Sequence, residues 1–198
     1  MSQLTLTSDP LGSATTGTLE FENPAFYLTG AASQRGAVLA DQYLIQTSTY
    51  TLTNTTSAQK LFGASANGQV TLVAGTYEFD CVFSLSSMSA TSGSFGFALG
   101  GGATFTQYWW SNANKATLAT AAGGQVTYNT AANTTIATAT TATVGFARCG
   151  GLIIVSAGGT VIPQVSLGVG AAAVVGVGSY FKIRALGGAA ASVSGNWS

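Results

Sequence analysis

The sequence contains no histidine. That removes the commonest general base and the commonest metal ligand, and with them the Ser-His-Asp and Cys-His arrangements of nucleophilic catalysis. Charge is nearly as scarce: six acidic and six basic side chains make up 6% of 198 residues and cancel to zero, where an ordinary soluble domain carries about 25%. Nucleic acid and anionic membrane surfaces are bound through clustered Lys and Arg, so neither is an expected partner. No apolar run approaches the roughly 18 residues of a membrane-spanning helix, and no membrane insertion is expected. The opening MSQLTLTSDP lacks the basic and apolar regions of a secretory signal. The two cysteines, Cys81 and Cys149, are too few for a disulfide framework or a zinc site and read as two buried free thiols. A free monomer with so little charge tends to associate, so much of the surface is expected to lie against other chains.

What is present is strand pattern. In Asn67–Met88, NGQVTLVAGTYEFDCVFSLSSM, Asn67-Gly68 is a strong hairpin signal, because tight primed turns need positive φ at both central residues. Val70 and Leu72 follow, then a turn at Ala74-Gly75. Beyond it Tyr77, Phe79, Cys81, Phe83 and Leu85 alternate with Thr76, Glu78, Asp80, Val82 and Ser84, a period of two that puts five apolar groups on one face. Further strand-like runs are Asp41–Leu52, Ala58–Phe62, Phe95–Leu99, Thr104–Trp110, Gln125–Tyr128, Val144–Val155, Thr160–Leu167 and Ser179–Leu186. Ala157-Gly158-Gly159 is read as a turn that returns the chain antiparallel, and Pro163, lacking an N–H, is expected at an edge or bulge. Residues 111–143, rich in Ala, Thr and Asn, are read as long surface loops with plain strands. About ten short strands and no amphipathic helix indicate an all-β antiparallel sandwich or jelly roll.

Two units are expected: a segment over 1–36 and a domain over 37–198. The first is rich in Thr and Ser and holds two of the three prolines and three of the six acidic residues, Asp9, Glu20 and Glu22. Leu4 and Leu6 alternate with polar residues, and Leu19–Phe21 and Phe26–Leu28 suit two short strands around Asn23-Pro24. This reads as an arm that docks elsewhere, with Leu4, Leu6, Leu11, Leu19, Phe21, Phe26 and Tyr27 as its attachment residues.

Catalytic chemistry has little to stand on. Glu78 with Asp80, and Glu20 with Glu22, could ligate calcium or act as paired carboxylates; a solvated strand face or a charge-guarded edge is the plainer reading. Leu99–Ala103 does not match a phosphate loop, which needs a strand-to-helix setting. No catalytic residue, cofactor or metal site is expected, and the protein is read as a non-enzyme. Tyr108, Trp109 and Trp110 form the most distinctive aromatic cluster. Neighbours on a strand point to opposite faces, so one tryptophan fills a core and the other faces a receptor or an intersubunit contact.

The segments GTLEFENPAFYLTG with Arg35-Gly36, then AQKLFGASANGQVTLVAGTYEFDCVFSLSSMSATSGSFGFALGG, GTVIPQVSL and GSYFKIRALG carry a family likeness over most of the chain. In this order they resemble phage and prophage virion proteins, small trimeric jelly-roll modules at tail-fibre tips or on capsids. The resemblance implies a tumour necrosis factor-like jelly roll assembled as a homotrimer, with Gln164, Tyr180 and Phe181 at the trimer interface. It implies a virion protein, assembled in the host cytoplasm, whose partners are major capsid or tail proteins. Only a short arm precedes the domain, which suits capsid decoration, a cement protein or a short fibre. The alternative is a tail-fibre tip that recognises a host surface glycan or protein.

Overall fold

The computed structural model describes residues 19–22, 25–29, 35–38, 41–63, 68–115, 125–131, 133–138 and 142–189. Among them are sixteen strands and no α-helix. The all-β expectation holds, and the strands form two antiparallel sheets of a sandwich beside a small third sheet.

The small sheet comprises β1 (Leu19–Glu22), β2 (Ala25–Thr29) and β3 (Arg35–Val38), each antiparallel to the next. The two strands expected around Asn23-Pro24 are β1 and β2, with Phe21 opposite Phe26. β3 runs past the boundary expected at residue 36. Leu4, Leu6 and Leu11 lie outside the described residues, as does Asn67.

The large sheet is built on β8 (Gly75–Ser86), the strand with the clearest period-two pattern. On one side β8 pairs with β13 (Gly145–Ala157), which pairs with β10 (Thr104–Lys115), which pairs with β11 (Gln125–Asn129). On its other side lie β16 (Tyr180–Gly187) and the two-residue β15 (Val174–Val175); β4 (Asp41–Ile45) covers β16 and β5 (Tyr50–Thr51) covers β15. The second sheet runs β12 (Asn133–Ala137), β9 (Phe95–Gly100), β14 (Gly159–Leu167), and then β6 (Gln59–Lys60) and β7 (Val70–Leu72), both against β14.

The turn expected at Ala74-Gly75 separates β7 from β8, and β7 pairs with Gly159–Val161 in the opposite sheet. One turn reading needs correction: β14 does not return along β13 but crosses to pair with β9. Turn residues report that the chain changes direction, not whether it stays in one sheet. Pro163 sits inside the second sheet, opposite Leu99. On its other side β7 reaches only Val161 and β6 starts at Gln164. The Pro163 carbonyl points into that gap and accepts from the Leu61 N–H at 3.0 Å, so the missing N–H costs no ladder bond.

The core forms where the inner face of β8 meets β9 and β14. Tyr77, Phe79, Cys81, Phe83 and Leu85 are all buried, as the alternation predicts. Phe97 is the hub: its ring stacks on Phe79 and on Phe83 at 6.2 Å each, and meets Trp110 edge-on at 5.4 Å. Phe79 also stacks on Phe181 at 6.0 Å. Edge-on and offset pairs add about 0.5–1.5 kcal/mol beyond burial.

In the stretch after Trp110 the described residues form three strands, the end of β10, β11 and β12, where one was expected at Gln125–Tyr128. Asn112, Asn114 and Asn129 are buried. Asn129 Nδ2 donates to Asn112 Oδ1 at 3.0 Å, and Asn114 Nδ2 donates to the Ile136 carbonyl, tying β10 to β12 of the other sheet. Buried amides are tolerated when bonded in this way.

Phe97→Ala is expected to cost about 3–5 kcal/mol, the range for emptying a buried aromatic site. Trp110→Phe keeps a ring against Phe97 but loses the N–H that donates to the Ala131 carbonyl at 2.9 Å, and should cost about 1–2 kcal/mol. Urea unfolding of both variants checks the order; equal losses would contradict the hub role of Phe97.

Candidate functional site

The inner faces of the two sheets are consumed by the core, so any site lies on an outer face or at an edge. The outer face of the second sheet carries a single charge among the described residues, Lys60 of β6, beside Thr160, Ile162, Gln164 and Ser166 of β14. The outer face of the large sheet is different. Period two brings to it Glu78 and Asp80 of β8, Arg148 of β13, Lys182 and Arg184 of β16 and Asp41 of β4. Three acidic and three basic groups thus stand on one face, half of the charge in the chain.

The six charges sum to zero, and all but Lys182 are ion-paired to one another. Arg148 grips Asp80 through Nε at 2.9 Å and Nη2 at 3.2 Å, and the Tyr180 hydroxyl donates to Asp80 at 2.8 Å. Arg184 Nε lies 2.9 Å from Asp41 and 3.5 Å from Glu78. The Tyr43 hydroxyl donates to Asp41 at 3.1 Å. The two carboxylates singled out in the sequence therefore share a face but answer to different arginines. Among the described residues no three carboxylates or thiols come together to hold a metal ion.

Glycine shapes the middle of this face. Gly150 stands opposite Asp80, and with Gly151 it leaves a depression of about 340 Å³ lined by Glu78, Asp80, Ser111, Val126, Arg148 and Lys182. A side chain at Gly151 would run into the carbonyl of Trp109 and the Cα of Trp110, so close packing of β13 on β10 requires glycine there.

Around the charged belt the face is apolar. At the β10–β11 edge stand Trp109 (46% exposed), Tyr128 (66%) and Val126 (75%), with Phe146 of β13 nearby; at the β4 edge stand Tyr43 and Ile45, both more than half exposed. Ser111 faces Tyr128, and Ala113 faces Val126, across the β10–β11 ladder.

The sequence-derived residues divide as follows. Trp110 is core, 2% exposed, and Trp109 is outward, the opposed orientation expected of neighbours on a strand. Tyr108 is partly buried, its ring 4.9 Å from that of Phe105. Tyr180 lies on the outer face of the large sheet, within the Asp80 cluster. Gln164 lies in the other sheet, opposite Ala98 and Lys60. Phe181 is a correction: it is fully buried between the sheets against Phe79 and presents nothing to a neighbouring chain. Of the three interface residues implied by the resemblance, only Tyr180 is on this face. Tyr43, Ile45, Val126, Tyr128 and Phe146 went unread. Their signal was a large apolar residue at an outward position of a strand, on the face away from the core.

The Asp80 hydrogen bond is the main cause, ahead of burial and the Asp80 charge, that raises the Tyr180 phenol above 10.0. A raised phenol contributes stability that is fully present below about pH 10 and is lost as pH rises through the folded value. In Asp80→Asn, one tyrosine should titrate at lower pH than in the native protein, read from phenolate absorbance. An unchanged titration curve would contradict the assignment.

The chain matches no protein family and none of the curated proteins with which it was compared.

Proposed function

We propose that this protein is a non-enzymatic structural component of a phage-type virion: a jelly-roll homotrimer that joins the particle through its N-terminal segment, as capsid decoration, cement or short fibre. The observation that carries the association is the outer face of the large sheet. It exposes six large apolar side chains, Tyr43, Ile45, Trp109, Val126, Tyr128 and Phe146, around a belt whose charges cancel. A chain of zero net charge and 6% charged residues has little to keep such a surface in water.

The arrangement favours a closed ring. The apolar groups lie at opposite edges of the face, β4 on one side and β10–β11 on the other, with the ion-paired belt between. Two different patches that meet head to tail build a cyclic assembly when the rotation closes. The threefold count and the virion setting rest on the family resemblance. The strand orders β4-β16-β8-β13 and β12-β9-β14-β7, with successive long strands switching sheets, support the jelly-roll reading. The attachment role of Leu4, Leu6, Leu11, Leu19, Phe21, Phe26 and Tyr27 belongs to the same proposal, as do capsid or tail proteins as partners.

Sedimentation of the native chain is expected to give a trimer, and Val126→Lys with Tyr128→Lys a monomer of unchanged circular dichroism. A native monomer at high concentration would overturn the association. Removal of residues 1–30 should leave the trimer intact but abolish its incorporation into particles; incorporation of the truncated chain would overturn the attachment role.

A second reading, a tip that binds a host surface glycan, draws on the exposed rings of Trp109 and Tyr128, since an aromatic face suits stacking on a sugar ring. It requires Trp109→Ala to lose host adsorption while the trimer persists.

A further inference from the structure

The core holds a pair of groups that the association does not use. Cys81 of β8 and Cys149 of β13 are directly opposite each other in the central antiparallel ladder of the large sheet. Both are fully buried, both face the second sheet, and both are free thiols. Their row continues through Asn112 beyond Cys149 and through Phe181 beyond Cys81, so each thiol has the other as its only oxidisable neighbour along the ladder. Directly opposed residues of an antiparallel pair have Cα atoms about 4.5–5.5 Å apart, inside the roughly 4.4–6.8 Å span of disulfides. Only a small approach of the two strands is needed to bring the sulfurs together.

We infer that Cys81 and Cys149 are a latent cross-strand disulfide site, closed by exchange with a small-molecule disulfide such as oxidised glutathione when the two sheets part. In the closed sandwich the thiols are inert: burial, then the neighbouring thiol and Asp80, hold Cys81 far above its ordinary value, and burial then Asp80 do the same for Cys149. Only the thiolate attacks a disulfide, so reaction passes through an opened state. One cysteine thiolate attacks a glutathione sulfur, forming a mixed disulfide and releasing one glutathione thiolate. The other cysteine thiolate attacks the protein sulfur of that bond and releases the second glutathione. Two cysteine thiols are oxidised to one disulfide, oxidised glutathione is reduced to two thiols, and the two cysteine protons end on the two glutathiones.

The product links the two central strands of the large sheet and closes a loop of roughly 70 residues, a length at which a crosslink restricts the unfolded chain strongly. Cross-strand Cβ atoms lie about 4.5–5.5 Å apart against about 3.5–4.5 Å in a relaxed disulfide, so closure draws the strands together and leaves a bond that small thiols reverse.

The test is incubation of the full-length protein with oxidised glutathione at temperatures rising to its unfolding midpoint, followed by peptide mapping. The expected result is an intrachain link between the Cys81 and Cys149 peptides, a midpoint raised by about 5–15 °C, and reversal of both by dithiothreitol. Cys149→Ser should instead collect glutathione on Cys81. Mixed disulfides or interchain links in the native sequence, a linked product with a lower midpoint, or no thiol reaction below the midpoint while the denatured chain reacts, would each overturn the inference.

Discussion

The contact on which the two large sheets depend is that of Phe97 with Phe79, Phe83 and Trp110. It joins the middle strand of one sheet to three positions on the other, and it exists only because β8 and β10 turn these rings to the same side. A sheet with one apolar face has to cover it. Here β9 and β14 supply the cover with Phe95, Phe97, Leu99, Val161, Val165 and Leu167. Once the inner faces are spent on each other, the outer positions of β8, β13 and β16 are free to carry the few charges the chain possesses.

The strand content was legible in the sequence because it rests on local alternation. The β8 pattern and the opposed orientation of Trp109 and Trp110 both follow from a period of two. Topology was not legible. Gly158-Gly159 and Ala74-Gly75 mark reversals, but the choice between pairing back and crossing to the other sheet is made by distant partners such as Leu72 and Leu99. The burial within the Asn-rich segment was not legible for a related reason. Asn112, Asn114 and Asn129 look like loop residues by composition, and their burial goes with side-chain hydrogen bonds, Asn129 to Asn112 and Asn114 to the Ile136 carbonyl, that no local pattern reveals. Phe181 was placed at an interface by family likeness, whereas its alternation with Tyr180 and Lys182 already sent it to the opposite face.

The outer face of the large sheet presents an unusual combination: internally paired charge in the centre and apolar groups on either side. Asp80 serves both Arg148 and Tyr180, which fixes the centre without leaving a net field. Such a surface discriminates partners by shape and hydrogen bonding rather than by long-range attraction. In the proposed assembly the buried neighbour is another copy of the same chain, and scarcity of charge becomes a requirement of the packing rather than a threat to solubility.

The most direct measurement of this account is hydroxyl-radical footprinting of the native protein at high concentration and after extensive dilution, read residue by residue. The account predicts that Tyr43, Trp109 and Tyr128 are protected at high concentration and become reactive together on dilution, while Trp110 and Phe97 stay protected throughout. Reactivity of Tyr43, Trp109 and Tyr128 at every concentration, in proportion to their exposure in the single chain, would contradict it.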